Sequence, residues 1–459
     1  MTAARIPPER IRPLNARPVG NGGFVLYWMQ QSQRAEWNHA LEYAVQQANE
    51  LSRPLVVGFG LTDGFPEANL RHYRFMLEGL RETQRTLQRR GIRFVLRFGD
   101  PAQVALDLSN HACLVVCDRG YVRIQREWRR RVAERASVRV VQVESDAVVP
   151  ADAASRKAEF AARTIRPKIT RLVPKFLLPL RSLRPKRSTG TLSLDGESLA
   201  DMQGILKRLN IDRTVLPVSL YPGGSSAAHE TLENFIRTGL KDYDTNRNRP
   251  ETDDVSHMAM YLHFGQISPL EIALAVQAAP VPRSVKDSYL EELIVRRELA
   301  INHVLRNPHY DKYACLPAWA KATLRQHRKD PRAHRYTARQ MEDAETHDSY
   351  WNAAMREMRF TGYMHNYMRM YWGKKILEWS ATPEYAFRVV LSLNNKYFLD
   401  GRDPSSFANA GWLFGLHDRP WGERAVFGTI RYMSASGLER KADPKAYVAK
   451  VDRLVENGA

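Results

Sequence analysis

The sequence predicts an α/β domain with a Rossmann-like parallel sheet, followed by an all-α domain. Three observations lead to this prediction. Between residues 20 and 150, short apolar runs alternate with amphipathic stretches, a pattern typical of a parallel sheet covered by helices on both faces. A basic, proline-rich stretch follows at 151–205, and we expect a linker with few elements of its own. From 206 to 459, helical periodicity dominates.

The first domain is predicted from nine segments that alternate between strand and helix. Strands are expected at 24–28, 54–59, 93–98, 112–117 and 138–143, and helices at 35–51, 70–90, 102–108 and 123–135. The second helix is followed by Gly91, a residue type that commonly ends helices. The glycines at 20, 22 and 23 precede the first strand, which indicates a turn and not a dinucleotide-binding fingerprint.

The charge balance indicates the kind of partner. The chain has 69 Lys and Arg against 50 Asp and Glu, a formal net charge of +19. This favours a polyanion, nucleic acid first and an acidic membrane surface second, over a chain that is merely basic. Three cysteines, Cys113, Cys117 and Cys315, indicate a reducing compartment, and none has metal-ligand spacing. With no secretory signal or membrane span, we expect a cytoplasmic protein, nucleoid-associated if bacterial.

In the second domain, helices are expected most clearly at 287–305, 351–380 and 384–397. Trp372 and Trp379 are two turns apart and share a helix face, for which core packing is the ordinary interpretation. Arg369 lies within this Met-rich and aromatic stretch and needs a carboxylate partner there. Asp400 and Asp403, at a turn in LSLNNKYFLDGRD, offer one.

The C-terminal half carries the motifs of a known family. The run WNAAMREMRFTGYMHNYMRMYWGKKILEW is followed by LNNKYFLDGRDPSSFANAGWLFGLHDRPWGERAVFGTIRYMS. These motifs closely resemble the photolyase/cryptochrome superfamily and, more narrowly, the class II cyclobutane pyrimidine dimer (CPD) photolyases. The resemblance continues in EFAARTIRPKI, YLHFGQISP and LEELIVRREL, and near the N-terminus in YWMQQSQRAEWNHAL, so it covers essentially the whole chain.

The resemblance implies an antenna-type first domain and a helical second domain that binds FAD. It also implies light-driven electron transfer from reduced FAD to a pyrimidine dimer, without a nucleophile or a metal. Arg369 and Asp400 are implied to pair beside the flavin, and Asn394 to face its N5. The positions that match the family's FAD contacts are Tyr243, Val255, Ser256, His257, Met258, Ala259, Arg369, Asn394, Asp400 and Arg402.

The resemblance also implies an electron route and a DNA site. Trp372 is implied to lie nearest the flavin, Trp351 in the middle and Trp379 outermost. One Trp 21 residues before Trp372 and another seven after it match the class II arrangement. Glu292 is implied to meet a pyrimidine carbonyl edge. The positions that match the family's substrate contacts are Arg247, Asn248, Glu292, Met370, Trp412, Trp421 and Arg431.

The chain departs from its relatives at two places. Arg296 stands where many relatives carry Trp, which puts one aromatic wall of the dimer pocket in doubt. Ala259 stands where relatives commonly carry a hydroxyl that contacts phosphate. His257 is either a flavin neighbour or a structural hydrogen-bonding residue.

Several alternatives stay open at this point. The antenna chromophore is 8-hydroxydeazaflavin, a folate or absent. The expected partner is UV-damaged DNA, bound by a monomer with no obligate protein partner. A cryptochrome-type light receptor is disfavoured because the chain stops soon after its last helical pattern, and a (6-4) photolyase because no His-pair motif is visible. A non-catalytic basic nucleic-acid-binding module leaves the Trp spacing unexplained.

Overall fold

The computed structural model describes residues 6–190 and 192–458. The first part contains one six-stranded sheet whose order is β1-β6-β5-β2-β3-β4. Every neighbouring pair from β6 across to β4 is parallel, which confirms the predicted Rossmann-like sheet. The strands are β1 (Ile11–Pro13), β2 (Phe24–Trp28), β3 (Leu55–Leu61), β4 (Arg93–Phe98), β5 (Ala112–Asp118) and β6 (Arg139–Val143). The connecting helices are His39–Glu50, Leu70–Arg89, Pro101–Ser109 and Arg123–Arg135.

The edge strand β1 was not predicted. It pairs antiparallel with β6, with Ile11 opposite Val143. At three residues it is too short to show an apolar alternation, and only Ile11 of its side chains packs against the core of this domain. Cys113 and Cys117 are buried on β5, as expected for strand thiols.

The second part of the chain is helical. Two segments, Phe235–Gly239 and Glu291–Arg296, are π-helical, so the stretch predicted at 287–305 changes its helix type partway along. The α-helices from 151 onward are Ala151–Ala154, Ala162–Phe176, Met202–Arg208, Ser225–Asn234, Tyr243–Asn246, Ala259–His263, Pro269–Ala278, Arg283–Leu290, Arg297–Arg306, Ala318–Gln326, Ala338–Glu342, Ser349–Thr361, Asn366–Trp379, Pro383–Tyr397, Pro404–Leu413, Ala435–Glu439 and Pro444–Glu456. Short 3₁₀ turns lie at Pro8–Arg10, Leu199–Asp201, Leu240–Asp242 and Tyr313–Cys315.

The basic stretch at 151–205 contains more structure than predicted. The 15-residue helix Ala162–Phe176 lies within it and includes two prolines. Ile165, Ile169 and Phe176 are buried in a core cluster shared with the second domain. This apolar face stabilises the helix although an interior proline removes a backbone hydrogen bond. The prolines and the charges masked that face in the sequence.

The stretch predicted as one helix at 351–380 is two helices. Ser349–Thr361 ends at Gly362, whose φ of 70° is left-handed and whose N–H donates to Met358 O. Asn366–Trp379 then begins after the N-cap residue His365, whose Nδ1 accepts from Tyr367 N–H. Glycine adopts this backbone conformation without strain, so it commonly ends helices. Within the described ranges, no helix is long and apolar enough to cross a membrane.

Arg71, on the Leu70–Arg89 helix of the first domain, reaches across to the second domain. Its Nη1 donates to Tyr397 O at 2.7 Å and to Met358 O at 3.3 Å, and its Nη2 donates to Arg359 O at 2.6 Å. Its Nε donates to Leu216 O at 2.9 Å. The carbonyls at 359 and 397 belong to the last turns of two helices and have no partner within their own helix, whereas Met358 O also accepts from Gly362 N–H. Burial lowers the pKa of Arg71 to about 10, so the guanidinium stays charged near neutral pH.

Replacing Arg71 by Met should lower the free energy of unfolding by about 3 kcal/mol or more, since several buried carbonyls lose their donor. Trp fluorescence during urea unfolding measures this change. The control is Arg74→Met on the same helix, where the half-exposed arginine pairs with Glu78. This control should cost less than about 1 kcal/mol. Equal losses in the two variants would contradict a role for Arg71 in joining the domains.

Candidate functional site

A cleft of about 340 Å³ opens among the helices of the second domain. Its volume lies within the roughly 300–1,000 Å³ that is usual for small-molecule sites. Eleven of the residues predicted from the sequence line it, and they are Tyr243, Arg247, Val255, Ser256, His257, Met258, Ala259, Glu292, Arg369, Asp400 and Trp412. The fold therefore brings together residues spread over about 170 positions of the chain.

Arg369 and Asp400 form the ion pair that the sequence predicted. Nη1 and Nη2 of Arg369 donate to the two carboxylate oxygens of Asp400, at 2.9 and 3.1 Å. The Nε of Arg369 donates to Met364 O, and its Cζ lies 3.9 Å from the Phe398 ring centroid. A two-bonded pair of this kind fixes the plane of the guanidinium. The cleft wall thus carries a rigid, paired charge.

The segment 255–259 approaches the cleft in an irregular loop. His257 has a left-handed φ of 52°, which is uncommon for a residue with a side chain. Its Nδ1 lies 3.1 Å from the hydroxyl oxygen of Tyr221, and its Nε2 lies 3.2 Å from Asp253 Oδ1. Both ring nitrogens of His257 thus lie at hydrogen-bond distance from a side chain, and the residue also lines the cleft. Ala259 faces the cleft without a hydroxyl, while Ser405 adds one that was not predicted.

Glu292 lies in the π-helical segment Glu291–Arg296. Its Oε1 accepts from Arg247 Nη2 at 2.6 Å, so two of the predicted substrate residues form an ion pair at the cleft wall. Such π-helical turns frequently occur at functional sites. Arg296 also lines the cleft, and its Nε lies 3.3 Å from Glu291 Oε1. The position where many relatives carry an aromatic wall thus holds a half-exposed guanidinium.

Trp351, Trp372 and Trp379, which we call the tryptophan cluster, are almost completely buried. Trp351 Nε1 donates to Trp372 O at 2.9 Å, and the Trp351 and Trp379 ring centroids are 5.4 Å apart. Phe398, the ring under Arg369, lies 6.4 Å from the Trp372 ring. The aromatic contacts therefore run from the Arg369–Asp400 pair to Trp372, and the Trp351 indole contacts the Trp372 backbone and the Trp379 indole.

At its other end, the tryptophan cluster approaches the protein surface. Tyr336 and His347, both partly exposed, lie with their ring centroids 5.3 and 5.4 Å from that of Trp379. Tyr336 and His347 are joined by a hydrogen bond of 2.7 Å. Trp379 is therefore the member of the cluster that lies closest to partly exposed side chains.

Trp412, Trp421 and Arg431 form a second group, which we call the Arg431 cluster. Arg431 Cζ lies 5.7 Å from the Trp412 ring centroid and 4.8 Å from the Trp421 ring centroid. Trp421 is 38% exposed, an unusual state for a large aromatic side chain. Buried Lys374 lies 5.0 Å from the Trp412 ring and donates to Leu413 O, and burial lowers its pKa to about 7.

Besides the tryptophan cluster, Trp421 and Arg431, four predicted residues do not line the cleft in this conformation. Asn248 is exposed beside Arg247, and Met370 packs against the core of the second domain. Asn394 is buried and donates from Nδ2 to Asn395 Oδ1. Arg402 is directed to a different cavity between the domains, where its Nη1 donates to Asn395 O at 2.6 Å and contacts His72.

Several residues of the cleft were not predicted from the sequence. Asp403 was considered only as a partner for Arg369, but its Oδ2 lies 3.5 Å from His263 Nδ1. The other unpredicted lining residues with polar side chains are Tyr289, Arg297, Tyr363, Asn366, Asn409 and His417. They come from four helices and from two loop segments, and no short motif links them. Among the residues that the structure describes, no group of three or more His, Cys, Asp or Glu is placed to hold a metal ion.

The fold is shared with solved structures of a photolyase and a cryptochrome. A bacterial class III photolyase from Agrobacterium tumefaciens superimposes with a TM-score of 0.72, covering 94% of this chain and 86% of that one. The sequence identity of that pair is 18%, so the likeness concerns the fold alone. It covers both the α/β and the helical domain.

Sequence comparison gives a narrower assignment. A profile of the DNA photolyase family matches residues 25–186. The deoxyribodipyrimidine photo-lyase of Methanothermobacter thermautotrophicus is 46% identical over 98% of this chain and 99% of its own length. The enzyme of the same name from Arabidopsis thaliana is 38% identical over 98% of this chain and 94% of its own. The chain belongs to the DNA photolyase family.

Replacing Asp400 by Asn tests the ion pair. The variant leaves the Arg369 charge without its carboxylate, so we expect FAD to bind about tenfold more weakly, a change of ~1.4 kcal/mol. Flavin absorbance of the purified variant after dialysis measures this. Asp311→Asn is the control, because Asp311 forms a comparable two-bonded pair with Arg123 away from the cleft. Full retention of FAD by Asp400→Asn would refute the assigned role.

Proposed function

We propose that this protein uses light to split cyclobutane pyrimidine dimers in DNA, with FAD bound in the cleft of its second domain. The observation that carries the proposal is the continuous set of contacts from the Arg369–Asp400 pair at the cleft wall through Phe398 to the tryptophan cluster. When bound, reduced FAD supplies the photoexcited electron that opens the dimer, so the protein needs no nucleophile.

The chemistry of the cleft fits a dinucleotide with a planar ring system. Arginines are available for a pyrophosphate, and Ser256 and Ser405 offer hydroxyls that compensate for the one absent at Ala259. Tyr243 and Tyr289, with ring centroids 5.2 Å apart, provide apolar faces on one side of the cleft. Arg369 and Asp400 offer opposite charges to the polar edge of a flavin.

Asn394 is part of the proposal although it does not line the cleft. It sits behind the turn that holds Asp400, where a Cβ at Gly401 would lie 2.8 Å from Asn394 O. Its side-chain oxygen is not used by the bond to Asn395, in which the amide nitrogen is the donor. This acceptor is what we propose faces the flavin. Arg402, by contrast, is supported as a domain-interface residue.

The tryptophan cluster is proposed to carry electrons inward from the surface, in the order Trp379, Trp351, Trp372. Support comes from the contacts of Trp351 with the Trp372 backbone and the Trp379 indole and from the partly exposed neighbours of Trp379. Complete burial keeps solvent away from the indoles during transfer. We further propose that the protein is a class II enzyme, because its Trp spacing of 21 and seven residues matches that class.

The DNA-binding face is proposed to include the Arg431 cluster and the Arg247–Glu292 pair. The net charge of +19 favours a phosphate backbone, and exposed Trp421 offers a ring for stacking. The dimer must leave the duplex to reach the cleft, and its weak stacking lowers the free-energy cost of this extrusion. Arg247 and Glu292 would then meet its polar edge as a joined donor and acceptor. We expect the protein to act as a monomer.

The cavity between the domains is proposed to hold an antenna chromophore. It lies beyond the carboxyl ends of β2 and β3, and Arg402 is part of its lining. Phe59, Phe65, Tyr73 and Trp128 give it the aromatic lining that a planar chromophore requires. An absorption spectrum of the purified protein separates 8-hydroxydeazaflavin, a folate and an empty cavity.

The repair reaction itself is the first test. Reduced holoprotein under blue light should restore normal pyrimidines in a duplex that contains one dimer, and the same mixture in the dark should not. Chromatography of the digested DNA measures the conversion. A protein that binds FAD but leaves the dimer intact under light would overturn the proposal and favour a receptor on the same fold.

Replacing Trp372 by Phe tests the electron route. Light-driven reduction of the bound flavin should fall to background, because the aromatic link nearest the cleft loses its indole. Repair by chemically pre-reduced enzyme should stay near the wild-type rate. Trp28→Phe, at an equally buried indole on β2, is the control and should photoreduce normally. Photoreduction of Trp372→Phe at the wild-type rate would refute the assigned order.

A further inference from the structure

The segment 418–431, which we call the 418–431 loop, presents part of the proposed DNA-binding face. It follows the helix Pro404–Leu413 and precedes the helix Ala435–Glu439. It carries exposed Trp421 and ends at Arg431. Contacts from outside the loop must therefore hold it in one conformation.

His327, which directly follows the helix Ala318–Gln326, joins this loop to the rest of the domain. Its Nδ1 lies 2.7 Å from Asp330 Oδ2, and its Nε2 lies 2.8 Å from Glu423 Oε1 of the loop. Both partners are carboxylate oxygens, which only accept hydrogen bonds. Both ring nitrogens must then carry a proton, so the geometry is that of an imidazolium between two carboxylates.

Two further hydrogen bonds act in the same place. Val426 N–H donates to the same Asp330 Oδ2 at 2.9 Å, and Thr429 N–H donates to Thr323 Oγ1 at 3.0 Å. Thr323 is one turn before His327 on the same side of its helix. The loop backbone is therefore attached at two points, and His327 lies between them.

Gly428 shows how closely the loop approaches the His327 ring. A Cβ at this position would lie 2.7 Å from His327 Cδ2 and 2.1 Å from Thr323 Oγ1. The φ of Gly428 is 53°, a left-handed value that glycine adopts without strain. The loop backbone is thus packed directly on the imidazole, so a movement of the ring would displace the loop backbone.

The attachment continues to the residues proposed to bind DNA. Trp421 N–H donates to Thr429 O at 2.8 Å, so the anchored end of the loop also fixes the backbone of Trp421. The Trp421 ring in turn lies against the Arg431 guanidinium. A short chain of contacts thus leads from His327 to both side chains.

We propose that His327 is a positioning residue for DNA recognition. By joining Asp330 to Glu423, its imidazolium holds the 418–431 loop in the conformation that presents Trp421 and Arg431 to DNA. This inference rests on the proposed function of that face, and it implies that the affinity of the face for DNA depends on pH.

The direction of the pH dependence follows from the two carboxylates. The hydrogen bond with Asp330 raises the pKa of His327 above its usual value, and Glu423 raises it further. The hydrogen bond from Val426 N–H, the contact with His327 and the charge of Arg332 all lower the pKa of Asp330. A histidine whose pKa is raised in the attached loop stabilises that loop conformation fully at a pH below its ordinary pKa of about 6.5. This stabilisation is lost as the pH rises through the raised pKa of His327, so the affinity for DNA should fall over the same pH range.

The test measures the dissociation constant of holoprotein for a duplex with one dimer, from about pH 6 to about pH 9. At the low end, His327→Gln should bind about tenfold more weakly than wild type, and its affinity should change little with pH. Glu423→Gln should show a weaker form of the same effect. The matched control is His229→Gln, since His229 also pairs with a carboxylate, Glu271 at 2.9 Å, and has a raised pKa.

A second measurement does not depend on DNA. Trypsin cleavage after Arg424 should be faster in His327→Gln than in wild type or in His229→Gln, because the loop loses its central attachment. Slow cleavage of wild type and fast cleavage of the variant would show that His327 holds the 418–431 loop in place, whether or not the protein binds the dimer. If that difference is seen but the protein does not bind the dimer, only the proposed function is wrong. Wild-type affinity, pH profile and cleavage rate in His327→Gln would overturn the inference, as would equal effects of His229→Gln.

Discussion

The contact of Arg71 with the second domain is the constraint on which the rest of the site depends. Every residue that lines the large cleft lies at or after Tyr243, so the α/β domain contributes no side chain to it. Arg71 nevertheless binds the last carbonyls of the helices Ser349–Thr361 and Pro383–Tyr397. These helices carry Trp351 and Asn394. The first domain therefore sets the relative position of two site residues without touching the cleft.

The parts of the fold that were predicted are those with a strong local pattern. Alternating apolar runs gave five of the six strands, because buried parallel strands are apolar throughout. The sixth, β1, is too short to show a pattern. The helix Ala162–Phe176 was read as a linker, since its prolines and charges outweighed Ile165 and Ile169 in the sequence but not in the packed structure.

The site was predictable where a charged side chain in an apolar stretch required a partner and one short motif offered it. Arg369 in an apolar stretch required a carboxylate, and Asp400 supplied it. Arg402 followed Asp400 in the same motif, but its left-handed φ of 67° is part of a turn that takes its side chain to the other cavity. The His327–Glu423 contact spans 96 residues, and no local pattern connects its two ends.

The left-handed turn at Gly362 decides the distances between the indoles. In one unbroken helix, Trp351 and Trp372 would be about 31 Å apart along the axis, given a rise of 1.5 Å per residue. The reversal of the chain at Gly362 instead brings the Trp351 indole into hydrogen-bond contact with the Trp372 backbone. The turn thus replaces a separation of about 31 Å, across which electrons tunnel poorly, with a direct contact between the Trp351 indole and the Trp372 backbone. The proposed electron route thus depends on the backbone angle of a residue that has no side chain.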